Sequence, residues 1–425
     1  MKILTLFSAF FLITGLLMGQ DTYLHCGSVM DINTGKTSVE KTIIVSANKI
    51  KSIQSGYIEG SENDLIIDLK NKVVLPGFID MHVHMEGESS PTRYIERFTK
   101  NDVDVAFQST VYAKKTLMAG FTTVRDLGGS GVNIALRNAI NRGIVVGPRI
   151  FTAGKAIGTT GGHADPTNGM RKELMGNPGP KEGVVNSPED AKKAVRQRYK
   201  NGADVIKITA TGGVMSVAKN GQNPQFTEEE IKAIVTTAND YGMLTAAHAH
   251  GDEGMQRAIR AGIKTIEHGT LMEEPTMDLM IKYNTFLVPT ISAGKAAAAM
   301  ADIPGFLPPV VAKKAKEIGP VSQRTFKKAY KKGVPIAFGT DAGVSPHGDN
   351  GKEFGYMHKA GMPVLDALQS ATLTNSELLG MKEELGQLKE GFIADIVAVE
   401  QNPLDAVETL ENVVFVMKDG KVYKQ

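Results

Sequence analysis

One local unit recurs through the middle of this chain and limits what it can become. A helical pattern runs into a glycine, and an apolar, strand-like run follows almost at once. Gly120 precedes FTTVRD, Gly202 precedes DVIKIT, Gly242 precedes LTAAH, Gly262 precedes KTIEH and Gly333 precedes PIAFGTD. Glycine just past a helix end supplies the left-handed residue that closes the last turn. Strands alternating with helices pair in parallel, with the helices on the faces of the sheet. Adding GFIDMHVH, PRIFTAG and FLVPT brings the count to about eight strands over residues 76–380, which predicts an α/β fold, a (β/α)8 barrel. The alternative is an open doubly wound sheet. The barrel is favoured because polar residues follow most of the strands instead of gathering at one crevice. One helix start is explicit: Thr227 and Glu230 form a capping-box pattern ahead of IKAIVTTAND.

The two ends read differently. Residues 22 to 75 alternate short β-rich runs with turn signals, Ala47-Asn48 between TIIVS and KIKSIQ, and Lys70-Asn71-Lys72 after LIIDL. FIADIVAVE and VVFVMKDGKVYK, with Asp419-Gly420 as a hairpin turn, repeat that pattern at the other terminus. A small sheet domain built from residues 20–75 plus 381–425 is expected beside the middle domain, residues 76–380. Residues 1–19 have the layout of a signal peptide, with Lys2 ahead of an apolar run from Ile3 to Met18. The expected location is therefore periplasmic or secreted, with no stable membrane insertion once the segment is removed. Cys26 is the single cysteine, which excludes an intrachain disulfide, and its setting suggests a small buried strand residue. With 48 basic and 46 acidic residues the formal net charge is +2, and no basic block marks a nucleic-acid surface.

The polar residues that close the strands carry the chemistry. His82, His84, Lys207, His248, His268 and Asp341 each stand at or near the end of an apolar run, where imidazole, amine and carboxylate groups are costly to bury without partners. Period two puts Asp80, His82 and His84 on one face of Phe78–His84, leaving Ile79, Met81 and Val83 to pack on the helices. Two histidines at i and i+2 can chelate one metal. Lys207 lies between Ile206 and Ile208 and so points inward. Desolvation lowers a lysine pKa, and a neutral amine can take up carbon dioxide as a carbamate able to bridge two cations; the alternative is an inward lysine paired with Asp126 or Asp341. His248 and His268 close consecutive strands and are ready for a second metal. Asp341 suits both metal ligation and proton transfer from an attacking water.

These motifs, VLPGFIDMHVH, AGFTTVRD, TTGGHAD, ADVIKITATGG, AAHAHG, IEHG and FGTDAGVSPHGDN, resemble the amidohydrolase superfamily in its binuclear form with a carboxylated lysine. Within it the chain is similar to the imidazolonepropionase-related branch, which holds Xaa-Pro dipeptidases and carboxypeptidase-like amidases that cleave ochratoxin. The resemblance implies a distorted (β/α)8 barrel with the terminal sheet domain as a β-sandwich at one side. It implies two zinc ions, with His82, His84, Lys207 and Asp341 around one and Lys207, His248 and His268 around the other, Lys207 being N6-carboxylysine. It also implies that His163, after the glycine run 158–162, and His250 line the substrate site and hold the oxyanion or a carboxylate. Arg125, beside Asp126, either binds a substrate carboxylate or pairs with its neighbour.

The expected activity is hydrolysis of the amide bond before a C-terminal amino acid, in an Xaa-Pro or related dipeptide or an N-acyl amino acid, with Asp341 as general acid and base. Opening of a cyclic amide of imidazolone or hydantoin type uses the same water attack and is the enzymatic alternative. A non-catalytic exported metal- or solute-binding protein is the other, against which Lys207 and Asp341 speak. The expected partners are a small-molecule or dipeptide substrate and, for assembly, further copies of the chain. No nucleic acid is expected.

Overall fold

The computed structural model of the chain describes residues 20–217 and 221–425; the expected signal segment lies outside the described residues. Fourteen strands are described. Four come from the N-terminal region: β1 (Thr22–Met30), β2 (Thr37–Ser46), β3 (Lys49–Ser55) and β4 (Leu65–Pro76). Seven follow in the middle: β5 (Phe78–Val83), β6 (Phe121–Asp126), β7 (Arg149–Thr152), β8 (Val205–Thr209), β9 (Leu244–Ala249), β10 (Thr265–His268) and β11 (Phe286–Val288). The C-terminal region adds β12 (Ile396–Val399), β13 (Phe415–Lys418) and β14 (Lys421–Lys424).

Both termini build one seven-stranded sheet in the order β14-β13-β12-β4-β1-β2-β3, a continuous hydrogen-bonded sheet where a sandwich is expected. Its apolar residues from both ends, among them Leu24, Ile43, Ile67, Ile396 and Phe415, meet in one cluster. The expected turn at Lys70–Lys72 is instead an interruption inside the single long strand β4, whose pairing with β1 jumps from Cys26↔Leu69 to Ser28↔Val73. Gly27 makes the bulge possible, because a Cβ there would lie 2.2 Å from the Lys70 carbonyl oxygen. Cys26 is buried in β1, and burial pushes its thiol up to about 12. The Asp419-Gly420 hairpin forms as expected, both residues adopting positive φ, 50° and 72°.

The middle strands form two parallel sheets, β5-β6-β7 and β11-β10-β9-β8. Isolated bridges join their edges. Ile157, just past β7, pairs with Ile208 of β8, while the run 335–342 bridges β11 through Leu287↔Ile336 and β5 through Val83↔Ala342. That run is therefore not a regular strand, although the sequence pattern suggests one. Helices lie between the strands, and the large apolar cluster takes Val124 of β6, Ile206 and Ile208 of β8, Ala247 of β9 and Ile266 of β10 together with helix residues such as Ile231, Ile234 and Met255. The capping box is present: Glu230 N donates to Thr227 Oγ1 at 3.3 Å and Thr227 N to Glu230 Oε2 at 2.9 Å.

Strict period two fails in β5. Ile79 and Met81 pack with Val288, Ala337, Leu385 and Ile393, whereas Phe78 and Val83 join the large cluster. Residues 78 and 83 have opposite parity, so regular alternation breaks between them. The pairing with β6 is irregular between Phe78 and Ile79 and again between Asp80 and Val83. Asp80 does not share the fate of the histidines. Buried, it accepts from Thr340 Oγ1 at 2.7 Å and Asn350 Nδ2 at 2.8 Å and ties β5 to the 335–342 run.

Candidate metal centre

The side chains that close the strands converge on one cavity of about 760 Å³, whose lining includes His82, His84, His163, Lys207, His248, His250, His268 and Asp341. Each is aimed by its strand. Ile206 and Ile208 go outward, so Lys207 points in, its Nζ 3.4 Å from His82 Nε2. His248 and His250 follow the same alternation, with ring centroids 4.7 Å apart. His268 is different. Ile266 faces outward, so alternation sends Glu267 inward, and His268 reaches the cavity because its backbone turns left-handed at φ 72°. Asp341 (φ 57°) and Thr290 (φ 47°) end the next two runs in the same region. Such backbone costs about 1–3 kcal/mol per residue in a non-glycine and persists where the surroundings impose it. Here it turns His268 and Asp341 onto a common point.

The tautomers follow from the partners. His84 Nδ1 lies 2.7 Å from the Gly128 carbonyl oxygen, which can only accept, so Nδ1 donates and Nε2 keeps its lone pair. That lone pair faces Asp341 Oδ1 at 3.3 Å, and His82 Nε2 lies 3.6 Å from the same oxygen. Asp341 Oδ1 is buried and has no hydrogen-bond partner among the described residues. His84 Nε2 and Asp341 Oδ1 are both acceptors at this distance, and a cation between them would relieve their repulsion. Burial above all holds the imidazoles neutral, with Lys207 adding to it. His84, His163 and His250 are lowered to about 3, and His82, His248 and His268 fall well below their ordinary value. Neutral imidazoles are the ligand form. Among the described residues, two groups have donor atoms close enough to hold an ion: His82, His268 and Asp341, and His248, His250 and His268. The donor set therefore fits a divalent metal. Burial also lowers the Lys207 amine, against the pull of Glu267 and Asp341, and raises the Asp341 carboxyl, against the pull of Lys207.

His163 stacks on His248 with centroids 4.4 Å apart. Gly213 makes the room, since a Cβ there would fall 2.2 Å from the His163 ring. His250 Nδ1 shares a hydrogen bond with Thr270 Oγ1 at 2.9 Å. Arg125 does not reach the cavity. Its guanidinium is fully buried; Nε donates to the Met81 carbonyl at 2.7 Å, Nη1 to Thr265 Oγ1 at 3.1 Å and Nη2 to Glu267 Oε1 at 2.9 Å. The position expected to bind a substrate carboxylate thus lies away from the cavity, and Arg125 does not pair with Asp126, which instead accepts from Met85 N and Asn133 Nδ2. The sequence reading passed over Glu267, whose Oε2 lies 2.9 Å from His82 Nδ1, out of line for a hydrogen bond. The inward parity of residue 267, opposite to that of Ile266, is the signal that could have found it.

The pattern of the amidohydrolase family matches residues 73–423. The ochratoxinase of Aspergillus niger is 32% identical over 369 residues, 83% of this chain and 76% of that protein. A crystal structure of a Xaa-Pro dipeptidase with methionine bound in its active site is 50% identical, with a TM-score of 0.92 over 96% of this chain and 100% of the other. A prolidase complexed with N-methylphosphonate-L-proline is 31% identical, with a TM-score of 0.86 over the same shares. This chain belongs to the amidohydrolase family and is a hydrolase of C–N bonds.

Proposed function

We propose that the chain is an exported, binuclear zinc amidase that cleaves the amide bond before a C-terminal amino acid, in an Xaa-Pro or related dipeptide or an N-acyl amino acid. The observation that carries this reading is the unpartnered Asp341 Oδ1 set among the imidazoles of His82, His84 and His268 at the cavity. Similarity to a Xaa-Pro dipeptidase and to ochratoxinase supports the substrate class. We read the two parallel sheets and the 335–342 run, bridged at both edges, as one distorted (β/α)8 barrel with the site at the ends of its strands.

His82, His84, Lys207 and Asp341 would hold one ion, and Lys207, His248 and His268 the other. Bound there, a pair of divalent ions acidifies a water and polarises the scissile carbonyl. Lys207 takes part as a carbamate: its neutral Nζ bonds to the carbon of carbon dioxide and releases a proton, giving an anionic group. Asp341 accepts the proton of the attacking water and delivers it to the leaving nitrogen. His163 and His250 bind the carbonyl oxygen or the free carboxylate of the substrate. The apolar cavity wall of Val214, Ala297, Leu307 and Ile318 receives an apolar side chain beside the scissile bond.

The test is release of free amino acids from a library of dipeptides and N-acyl amino acids by the zinc-loaded protein, with Asp341→Asn alongside. Loss of about 10²–10⁴ in kcat with metal content unchanged is expected for the variant. Near-full turnover by the metal-loaded variant would remove Asp341 as the proton-transfer group. No release from any member by the fully loaded wild type would favour the cyclic-amide reading.

A further inference from the structure

The helix Pro309–Lys332 borders the cavity with Ile318, Gly319 and Ser322, and its buried face is not purely apolar. Val311, Lys314, Ala315 and Ile318 share that face at helical spacing, and the other three belong to the apolar cluster that includes Val214 of the cavity wall. Lys314 is 6% exposed. Burial lowers its ammonium to about 8, so lysine is a costly choice at such a position. Its contacts explain the choice. Lys314 Nζ donates to the Gly213 carbonyl at 2.7 Å and to the Ser216 carbonyl at 2.7 Å. Between those two carbonyls lie Val214 and Met215, which line the cavity together with Ser216 and Val217. A further tie to the same segment comes from the helix Arg93–Thr99, where Tyr94 Oη donates to the Met215 carbonyl at 2.7 Å. Gly213 is also the residue that makes room for the His163 ring.

We infer that Lys314 is a positioning residue for substrate selection. Its ammonium pins the segment Gly213–Ser216 so that Val214 stands in the cavity wall, and the wall fixed in this way separates a bulky apolar side chain beside the scissile bond from a small one. The inference rests on the amidase reading above. Lys314 itself touches no reacting atom and acts through the main chain that it holds. An apolar side chain of similar length would keep the packing against Val311, Ala315 and Ile318 but take this donor from both carbonyls, and buried carbonyls that lose a donor drive the chain to find another. Tyr94 acts on the same segment from a second helix, so the two side chains give independent handles on one wall.

Two measurements on the zinc-loaded full chain test the inference. In the first, hydrogen exchange of peptides spanning residues 210–217 is compared between the wild type, Lys314→Met and Tyr94→Phe. Exchange there should quicken about tenfold in Lys314→Met and less in Tyr94→Phe, while β8–β10 keep their wild-type protection. In the second, KM and kcat are measured for dipeptide pairs that differ only in Ala or Leu at one side of the scissile bond. Lys314→Met should raise KM for the Leu member about tenfold and leave KM for the Ala member and both kcat values close to wild type. Unchanged exchange at 210–217, or exchange that quickens equally in β8–β10, would overturn the inference. So would a fall in kcat common to both substrates with the ratio of their KM values intact. A wild type that releases nothing from any dipeptide would instead sink the amidase reading, and the exchange comparison would still decide whether Lys314 fixes the segment.

Discussion

At the scale of single residues, the cavity is backed by a buried charge pair. Arg125 and Glu267 are both fully buried and joined at 2.9 Å, and the far oxygen of Glu267 lies against His82. Glu267 is thus a positioning residue: it neutralises Arg125 and borders the ring that reaches Asp341. Replacing one member of a buried pair costs about 3–5 kcal/mol, because the other charge stays behind without compensation. Glu267→Gln is expected to lower the stability measured by denaturant unfolding by that amount. Arg125→Met combined with Glu267→Gln should lose less than Glu267→Gln alone. A double variant at least as unstable as the single one would mean that the pair is not what the interior needs. Arg125 was readable as an inward residue from its alternation with Val124. The pairing of the two was not, since Glu267 comes from a strand 142 residues away.

At the scale of elements, the site is assembled by strand ends and helix starts that lend one another groups. Thr290 precedes the helix Ile291–Ala301 and is the natural cap, yet it makes no side-chain cap bond. Its hydroxyl instead meets His268 Nδ1 at 2.7 Å. Glu353, from the helix Lys352–Lys359, takes over the vacant duty. It accepts from Ile291 N at 2.8 Å, Ser292 N at 2.7 Å and Ser292 Oγ at 2.6 Å. Despite these donors, burial raises the Glu353 carboxyl from its ordinary 4.5 to about 7. A carboxyl whose folded pKa is raised contributes stability that is fully present below its unfolded pKa and is lost as pH rises through the folded one. The melting-temperature advantage of the wild type over Glu353→Gln should therefore be largest below about pH 4.5 and shrink towards pH 7. A gap that widens over that window would contradict the assignment.

At the scale of the whole molecule, polar ties fasten the terminal sheet to the parallel strands. Gly77 alone separates β4 from β5. Arg149 of β7 reaches across to Asp395 at 2.7 Å and Asp419 at 2.5 Å; the two carboxylates hold its guanidinium above its ordinary value against burial. Asp395 is buried and cannot turn to water. Arg149→Leu is expected to cost on the order of 3 kcal/mol, and hydrogen exchange should quicken in β12–β14 while β8–β10 stay protected. Equal acceleration in both regions would show that this tie is not local to the junction.

The sequence alone determined the alternation of glycine-closed helices with apolar strands, the β-rich character of both ends, and the inward placement of Lys207, His248 and His250. These depend on spacing of two or about four residues, and spacing is local information. The tertiary structure decided the rest. It set the break in alternation in β5 that separates Asp80 from His82, and the bulge opposite Gly27 that replaces an expected turn. The left-handed backbone that brings His268 and Asp341 to one point, and the burial of Arg125 against Glu267, are likewise its doing. Each of these is settled by hydrogen bonds and packing between segments far apart in the chain. The free energy of those contacts outweighs the local preference that a sequence pattern records.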